Sequence, residues 1–239
     1  MKLRSSASSG QEEEWVGEAD GRLSFLLDEI RDEVRDTCAL TGRPALAARV
    51  IEALRSVPRH RFVPDPLQDS AYANHPLPIG YGQTISQPYI VALMSDLIEP
   101  GAQDRVLEVG TGSGYQAAVL ARLVQQVYTL EIVAPLAEQA RRRLQQLGID
   151  NVEVRTGNGH LGWPEHAPYD AIMVTAAAAS VPPALVEQLR PGGRLLMPIG
   201  TPFFGQTLVL LSKDEQGRLE ERRVLPVVFV PLTGEASTA

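Results

Sequence analysis

The sequence predicts an α/β fold, a doubly wound and mostly parallel sheet preceded by an N-terminal helical segment. Two observations predict it. Beyond Pro88, apolar runs of strand length alternate with amphipathic stretches of helix length, the pattern of successive strand–helix–strand units. Within that series, Glu108-Val109-Gly110-Thr111-Gly112-Ser113-Gly114-Tyr115 sets a glycine-rich turn between a strand and a helix, a junction at which such sheets bind ligands. With 239 residues, 44% of them apolar, the chain suits one full-sized domain with a small appendage.

The elements follow in order. Residues 1–20 are polar, include the run Glu12-Glu13-Glu14, and read as a mobile extension. Leu23, Leu26, Leu27, Ile30 and Val34 recur at helical spacing, and Pro44 opens a second helix over Ala45 to Leu54. Six prolines and two glycines between Pro58 and Pro88 predict a long structured loop, of the kind that carries function. Residues 21–88 thus form helices and a covering loop, and 89–239 form the sheet domain. In that domain helices are expected over Tyr89–Ile98, Tyr115–Leu123, Pro135–Leu147 and Pro183–Leu189. Strands are expected over Arg105–Val109, Gln126–Leu130, Val152–Arg155, Ala171–Val174 and Arg194–Pro198. Two late strands, Thr207–Ser212 and Arg218–Val230, are joined by the turn Asp214-Glu215-Gln216-Gly217.

Composition narrows the classes. A net charge of −7, 22 basic against 29 acidic side chains, argues against a nucleic-acid binder. No apolar run approaches the ~20 residues of a membrane helix, and residues 1–10 lack the apolar core of a signal peptide. Cys38 is the only cysteine, which excludes an intrachain disulfide and points to a cytoplasmic address. His60, His75, His160 and His166 lack metal-ligand spacing, so no metal centre is expected.

The glycine turn is not the dinucleotide fingerprint, because Tyr115 stands where a third glycine would fall and Gly114 comes one residue early. This G-x-G-x-G after an acid resembles the first motif of Rossmann-like S-adenosylmethionine methyltransferases. Its glycines let backbone approach a ligand and free helix N-terminal amides to donate. Glu131 ends the next strand, where an acid can accept from both ribose hydroxyls of a nucleoside. A tight strand-to-helix turn and a solvated strand-end carboxylate are the structural alternatives.

Three further segments are Leu77-Pro78-Ile79-Gly80-Tyr81-Gly82-Gln83-Thr84-Ile85-Ser86-Gln87-Pro88, Gly157-Asn158-Gly159-His160-Leu161-Gly162-Trp163, and Val174-Thr175-Ala176-Ala177 with Leu189-Arg190-Pro191-Gly192-Gly193. With Val57-Pro58-Arg59 they closely resemble the protein-L-isoaspartate O-methyltransferase family, over roughly residues 23 to 235. The resemblance implies methyl transfer from S-adenosylmethionine to the free α-carboxylate of isoaspartyl residues in damaged proteins and peptides. The chain is expected to act as a monomer on isoaspartyl proteins and peptides, with neither nucleic acid nor membrane as a partner, the last two on the composition above. Ser86 is the implied catalytic residue. Gly82, Gln83, Thr84, Glu108, Gly110, Gly112, Gly114, Glu131, Asn158, Gly159 and Thr233 are the implied cofactor-binding residues. Asn158 departs from the family, which usually has Asp there to accept from the adenine amino group; an amide oxygen can accept the same bond. Ser86, just before Pro88 and a helix, is equally placed to cap that helix. Two other readings remain at this point, a methyltransferase for a small-molecule acid and a binding protein that keeps the pocket but has lost catalysis.

Overall fold

A computed structural model describes residues 8–201 and 203–234. Helix α1 runs from Ser8–Thr41 and buries Leu26, Leu27, Ile30 and Val34 on one stripe, as their spacing predicts. The helix begins well before Leu23. Residues 8–20, read as a separate extension, are backbone-continuous with it, while residues 1–7 lie outside the described residues. Helix α2 spans Ala48–Ser56, three residues later than Pro44 suggested. The reason is Asp96, whose carboxylate accepts from the Ala47 amide at 2.8 Å and pairs with Arg43 at 3.2 Å, holding the approach extended.

The segment from Pro58 to Pro88 is more regular than a loop. It holds two short 3-10 turns, Arg59–Phe62 and Asp65–Ser70, and a hairpin of β1, Leu77–Gly80, with β2, Gln83–Ile85. Gly80 pairs with Gln83, so Tyr81 and Gly82 form a two-residue turn, both with positive φ (54° and 69°). That geometry matches the twist of the flanking strands and favours glycine at its second position.

Helix α3, Pro88–Leu97, starts with proline at its first turn and leads to the sheet. Its strands are β3 Arg105–Val109, β4 Gln126–Glu131, β5 Val152–Thr156, β6 Tyr169–Val174, β7 Leu189–Thr201, β8 Gly205–Lys213 and β9 Leu219–Val227. Helices α4 Tyr115–Leu120, α5 Ala134–Gln146 and α6 Pro183–Gln188 connect them. The order across the sheet is β5-β4-β3-β6-β7-β8-β9, parallel through β7 and antiparallel for β8 and β9. Strand β7 starts five residues before Arg194, because Leu189 already pairs with Tyr169 ahead of an irregularity in the register.

Apolar side chains of α1 to α5 pack with Val106, Val127 and Met173 in one core. On the opposite face Leu107, Val109 and Ile172 pack with Trp163, Tyr169 and α6. The order in which strands are added reverses at β3, since β4 and β5 lie on one side of it and β6 on the other. In open α/β sheets a ligand crevice forms at the carboxyl ends of the strands at such a point. Among the described residues no helix is long and apolar enough to cross a membrane.

Candidate active site

Four strand ends converge on one pocket. Gly110 and Gly112 follow β3, Glu131 ends β4, Gly157 and Gly159 follow β5, and Thr175 and Ala176 follow β6. Gln83 and Thr84 of the hairpin and Val230 to Thr233 of the C-terminal segment close its sides, around about 540 Å³ of empty space. The C-terminal segment is tied across the crevice by two backbone bonds, Ala177 N to Val230 O at 2.8 Å and Leu232 N to Ala177 O at 2.7 Å.

The pocket therefore gathers seven of the expected residues: Gln83, Thr84, Gly110, Gly112, Glu131, Gly159 and Thr233. Glu131 is buried, and its carboxylate is already at work on the chain. One oxygen accepts from the Gly112 amide at 2.8 Å and the other from the Val133 amide at 2.9 Å. Each oxygen keeps a further lone pair for a ligand hydroxyl. Glu131 thus holds the glycine turn against the end of β4 and faces the pocket at the same time.

Four expected cofactor residues do not line the pocket. Gly82 lies exposed at the hairpin turn. Gly114 is the N-cap of α4, where an added Cβ would press on Ala140. Asn158 uses its amide oxygen to accept from the His160 amide at 3.0 Å, capping the short turn Gly159–Leu161. Glu108 is fully buried on the other side of β3 from Val109, which does line the pocket. Its Oε2 accepts from Thr129 Oγ1, whose only hydrogen is then used, so Thr111 Oγ1 must donate to Thr129 at 2.6 Å. Glu108 is a post beneath the glycine turn.

Burial pushes the Glu108 carboxyl from 4.5 up to about 8, against the Thr129 hydrogen bond and helped by the charge of Glu131. A carboxyl whose folded pKa is raised holds its proton in the folded state and loses it on unfolding. Its stabilising contribution is then complete below pH 4.5 and is lost as pH rises through about 8. Glu108→Gln is expected to flatten the fall in stability between those limits, read as urea midpoints across a pH series. A slope identical to the parent's would overturn this account.

Ser86 lines a cleft that adjoins this pocket, and Thr84 and Thr175 border both. It does not cap α3, whose N-cap is Gln87 without a side-chain bond. The Ser86 carbonyl accepts from Arg59 Nη2 at 2.8 Å, and Arg59 Nε donates to the Ala71 carbonyl at 2.8 Å. Arg59 is itself buried, with its guanidinium 4.9 Å from the centre of the Tyr115 ring, the first residue of α4. The Val57-Pro58-Arg59 segment thus anchors the backbone of Ser86 to the glycine-turn helix and leaves the hydroxyl free among the described residues.

A family model described as protein-L-isoaspartate(D-aspartate) O-methyltransferase matches residues 41–237. The chain belongs to that family. It is 57% identical over 223 residues to protein-L-isoaspartate O-methyltransferase 2 of Syntrophobacter fumaroxidans, covering 92% of this chain and 90% of that one. Against the enzyme of the same name from a Polaromonas species it is 58% identical over 212 residues, covering 88% and 100%. Among solved structures, a protein-L-isoaspartate O-methyltransferase matches with a TM-score of 0.78 at 29% identity, over 90% of this chain and 67% of that one. A second is from Plasmodium falciparum, solved in complex with S-adenosyl-L-homocysteine. It gives a TM-score of 0.71 at 25% identity, over 86% of this chain and 97% of that one.

In this isoaspartate methyltransferase one further residue shapes the pocket, and sequence reasoning passed it over. Thr175 Oγ1 donates to the Gly110 carbonyl at 2.7 Å, and its amide donates to the Val109 carbonyl at 2.9 Å. The signal was present in Val174-Thr175-Ala176-Ala177, but the contact depends on Val109 and Val174 being paired across the sheet.

Proposed function

We propose that the chain methylates the free α-carboxylate of L-isoaspartyl residues in damaged proteins and peptides, with S-adenosylmethionine as methyl donor. The ester so formed closes to a succinimide that can reopen as normal aspartate, which begins repair. The observation that carries the reading is the Ser86 hydroxyl, free among the described residues, in a cleft that shares Thr84, Thr175 and Val230 with the pocket at the strand ends, in a chain of this family.

The residues fit the donor. A carboxylate at the end of β4, small residues at Gly110, Gly157 and Gly159, and a strap from Val230 to Thr233 suit a nucleoside with a charged tail. A side chain at Gly159 would overlap Val109 and press on Leu232, so the absence of one opens the floor of the pocket. When bound, S-adenosylmethionine supplies a methyl carbon made electrophilic by a sulfonium leaving group. The work of the chain is positioning. Glu131, Gln83, Thr84, Gly110, Gly112, Gly159 and Thr233 hold the donor, and Ser86 orients the acceptor. An α-carboxylate with a pKa near ~3.5 is ionised at neutral pH and needs no general base. Ser86 donates to one of its oxygens and leaves the other aimed at the donor pocket, the alignment from which such transfers gain most. The reading extends to a cytoplasmic, monomeric enzyme; Cys38 as the only cysteine suits a reducing compartment.

Ser86→Ala tests the assignment. Loss of one hydrogen bond to a charged acceptor, about 1.5–3 kcal/mol, is expected to cut turnover of an isoaspartyl peptide by roughly ten- to a hundredfold. Donor affinity and melting temperature should stay near the parent's. Parental turnover, or equal methylation of the ordinary aspartyl twin by the parent, would overturn it.

A further inference from the structure

Beside Thr84 and Thr175 the donor pocket opens into a second cavity, and helix α1 supplies part of its wall through Glu33 and Thr37. Glu33 is the only carboxylate among the described residues lining this cavity, and no Lys, Arg or His lines it. It lies outside the residues matched by the family model, which begin at 41.

The Glu33 side chain is fixed without being neutralised. Asn74 Nδ2 donates to Oε2 at 2.8 Å, and Gln87 Nε2 donates to both oxygens at 3.1 and 3.3 Å. Neutral donors on both oxygens are the pattern of an ionised, acceptor-only carboxylate. No cation lies within ion-pair distance of it among the described residues, and the charges of its own helix that act on it, Glu29 and Asp36, are also acidic. Burial raises its pKa, and the two amide bonds pull it back. The remaining wall from Leu225 to Val230 is apolar, so the field of this carboxylate is screened less than on an open surface.

Its position relative to Ser86 sets what it can read. Gln87, which holds Glu33, is the next residue after Ser86, and consecutive Cα atoms are about 3.8 Å apart. A peptide whose damaged residue meets Ser86 therefore places a neighbouring side chain within reach of Glu33. We propose that Glu33 is a specificity-determining residue that favours isoaspartyl segments with a basic side chain next to the damaged residue and disfavours acidic ones. The same negative wall turns the substrate's own carboxylate toward Ser86. This inference rests on the isoaspartyl reading above.

Three isoaspartyl peptides of one length, carrying Lys, Gln or Glu on both flanks of the damaged residue, test it through kcat/KM. The parent enzyme is expected to rank them Lys, Gln, Glu, with the ends of the series at least about fivefold apart, the size of one screened charge contact. Raising salt from about 0.01 to about 1 M, which shortens the screening length from about 30 to 3 Å, should shrink that spread. Glu33→Gln, which keeps size and one acceptor, should compress it, and Glu33→Lys should reverse the order. Equal rates for the three peptides with the parent, a salt-independent spread, or an unchanged spread in Glu33→Gln would each overturn the proposal. If the parent methylates none of the three, the isoaspartyl reading itself fails and the charge selection falls with it.

Discussion

Replacing Glu131 by Ala is expected to weaken S-adenosylmethionine binding by at least about a hundredfold, or roughly 2.7 kcal/mol. Two losses combine. The carboxylate oxygens accept from the Gly112 and Val133 amides, so the variant frees the glycine turn from the end of β4. It also removes the only carboxylate lining the pocket among the described residues, the one acceptor there suited to a pair of ribose hydroxyls. Hydrogen bonds to a charged acceptor are each worth about 1.5–3 kcal/mol, so either loss alone is substantial. Glu131→Gln should fall between parent and Ala, because its oxygen can still accept from one amide while its NH2 opposes the other. Calorimetric titration separates these outcomes, and a thermal melt gauges how much of the cost falls on the fold. An Ala variant that binds within about twofold of the parent would reject the role.

What could be read from the sequence divides along the range of the interactions involved. Strands β3 and β4, the turn at Gly110 and the acid at Glu131 are local features, an apolar run followed by glycines and a carboxylate at a strand end, and they were legible. The hairpin of β1 and β2 was not. Its strands are four and three residues long and include Pro78, so their order comes from pairing with each other and from Ile79 resting against the glycine turn at Gly112. For Glu108, strand periodicity already places the side chain away from the pocket lining. With Val109 facing the pocket, the preceding side chain must point through the sheet to the other face. Asn158 likewise sits where a side-chain oxygen caps a turn two residues on, a short-range bond that accompanies any contact to adenine. The role of Thr175 could not be read, because 65 residues separate it from Gly110 and only sheet register joins them.

Gly110→Ala is expected to destabilise the protein and abolish donor binding together. Gly110 has φ of +102°, a conformation that costs a residue with a Cβ on the order of 1–3 kcal/mol. A Cβ there would also overlap Thr175 Oγ1, and that atom cannot swing clear without giving up its 2.7 Å bond to the Gly110 carbonyl. Overfilling a packed site adds roughly another 1–3 kcal/mol. The combined cost is a large share of the about 5–15 kcal/mol that separates folded from unfolded domains. The two parts can be told apart. Thr175→Ala in the same chain removes the overlap but leaves the backbone strain, so the double variant should melt above Gly110→Ala and still below Thr175→Ala alone. Binding should remain lost in the double variant, since a methyl group at this turn fills space where the backbone must approach the donor. A Gly110→Ala protein with parental melting temperature and parental affinity would show that the turn relaxes freely, and that the fixed geometry of the loop is not what holds the nucleoside.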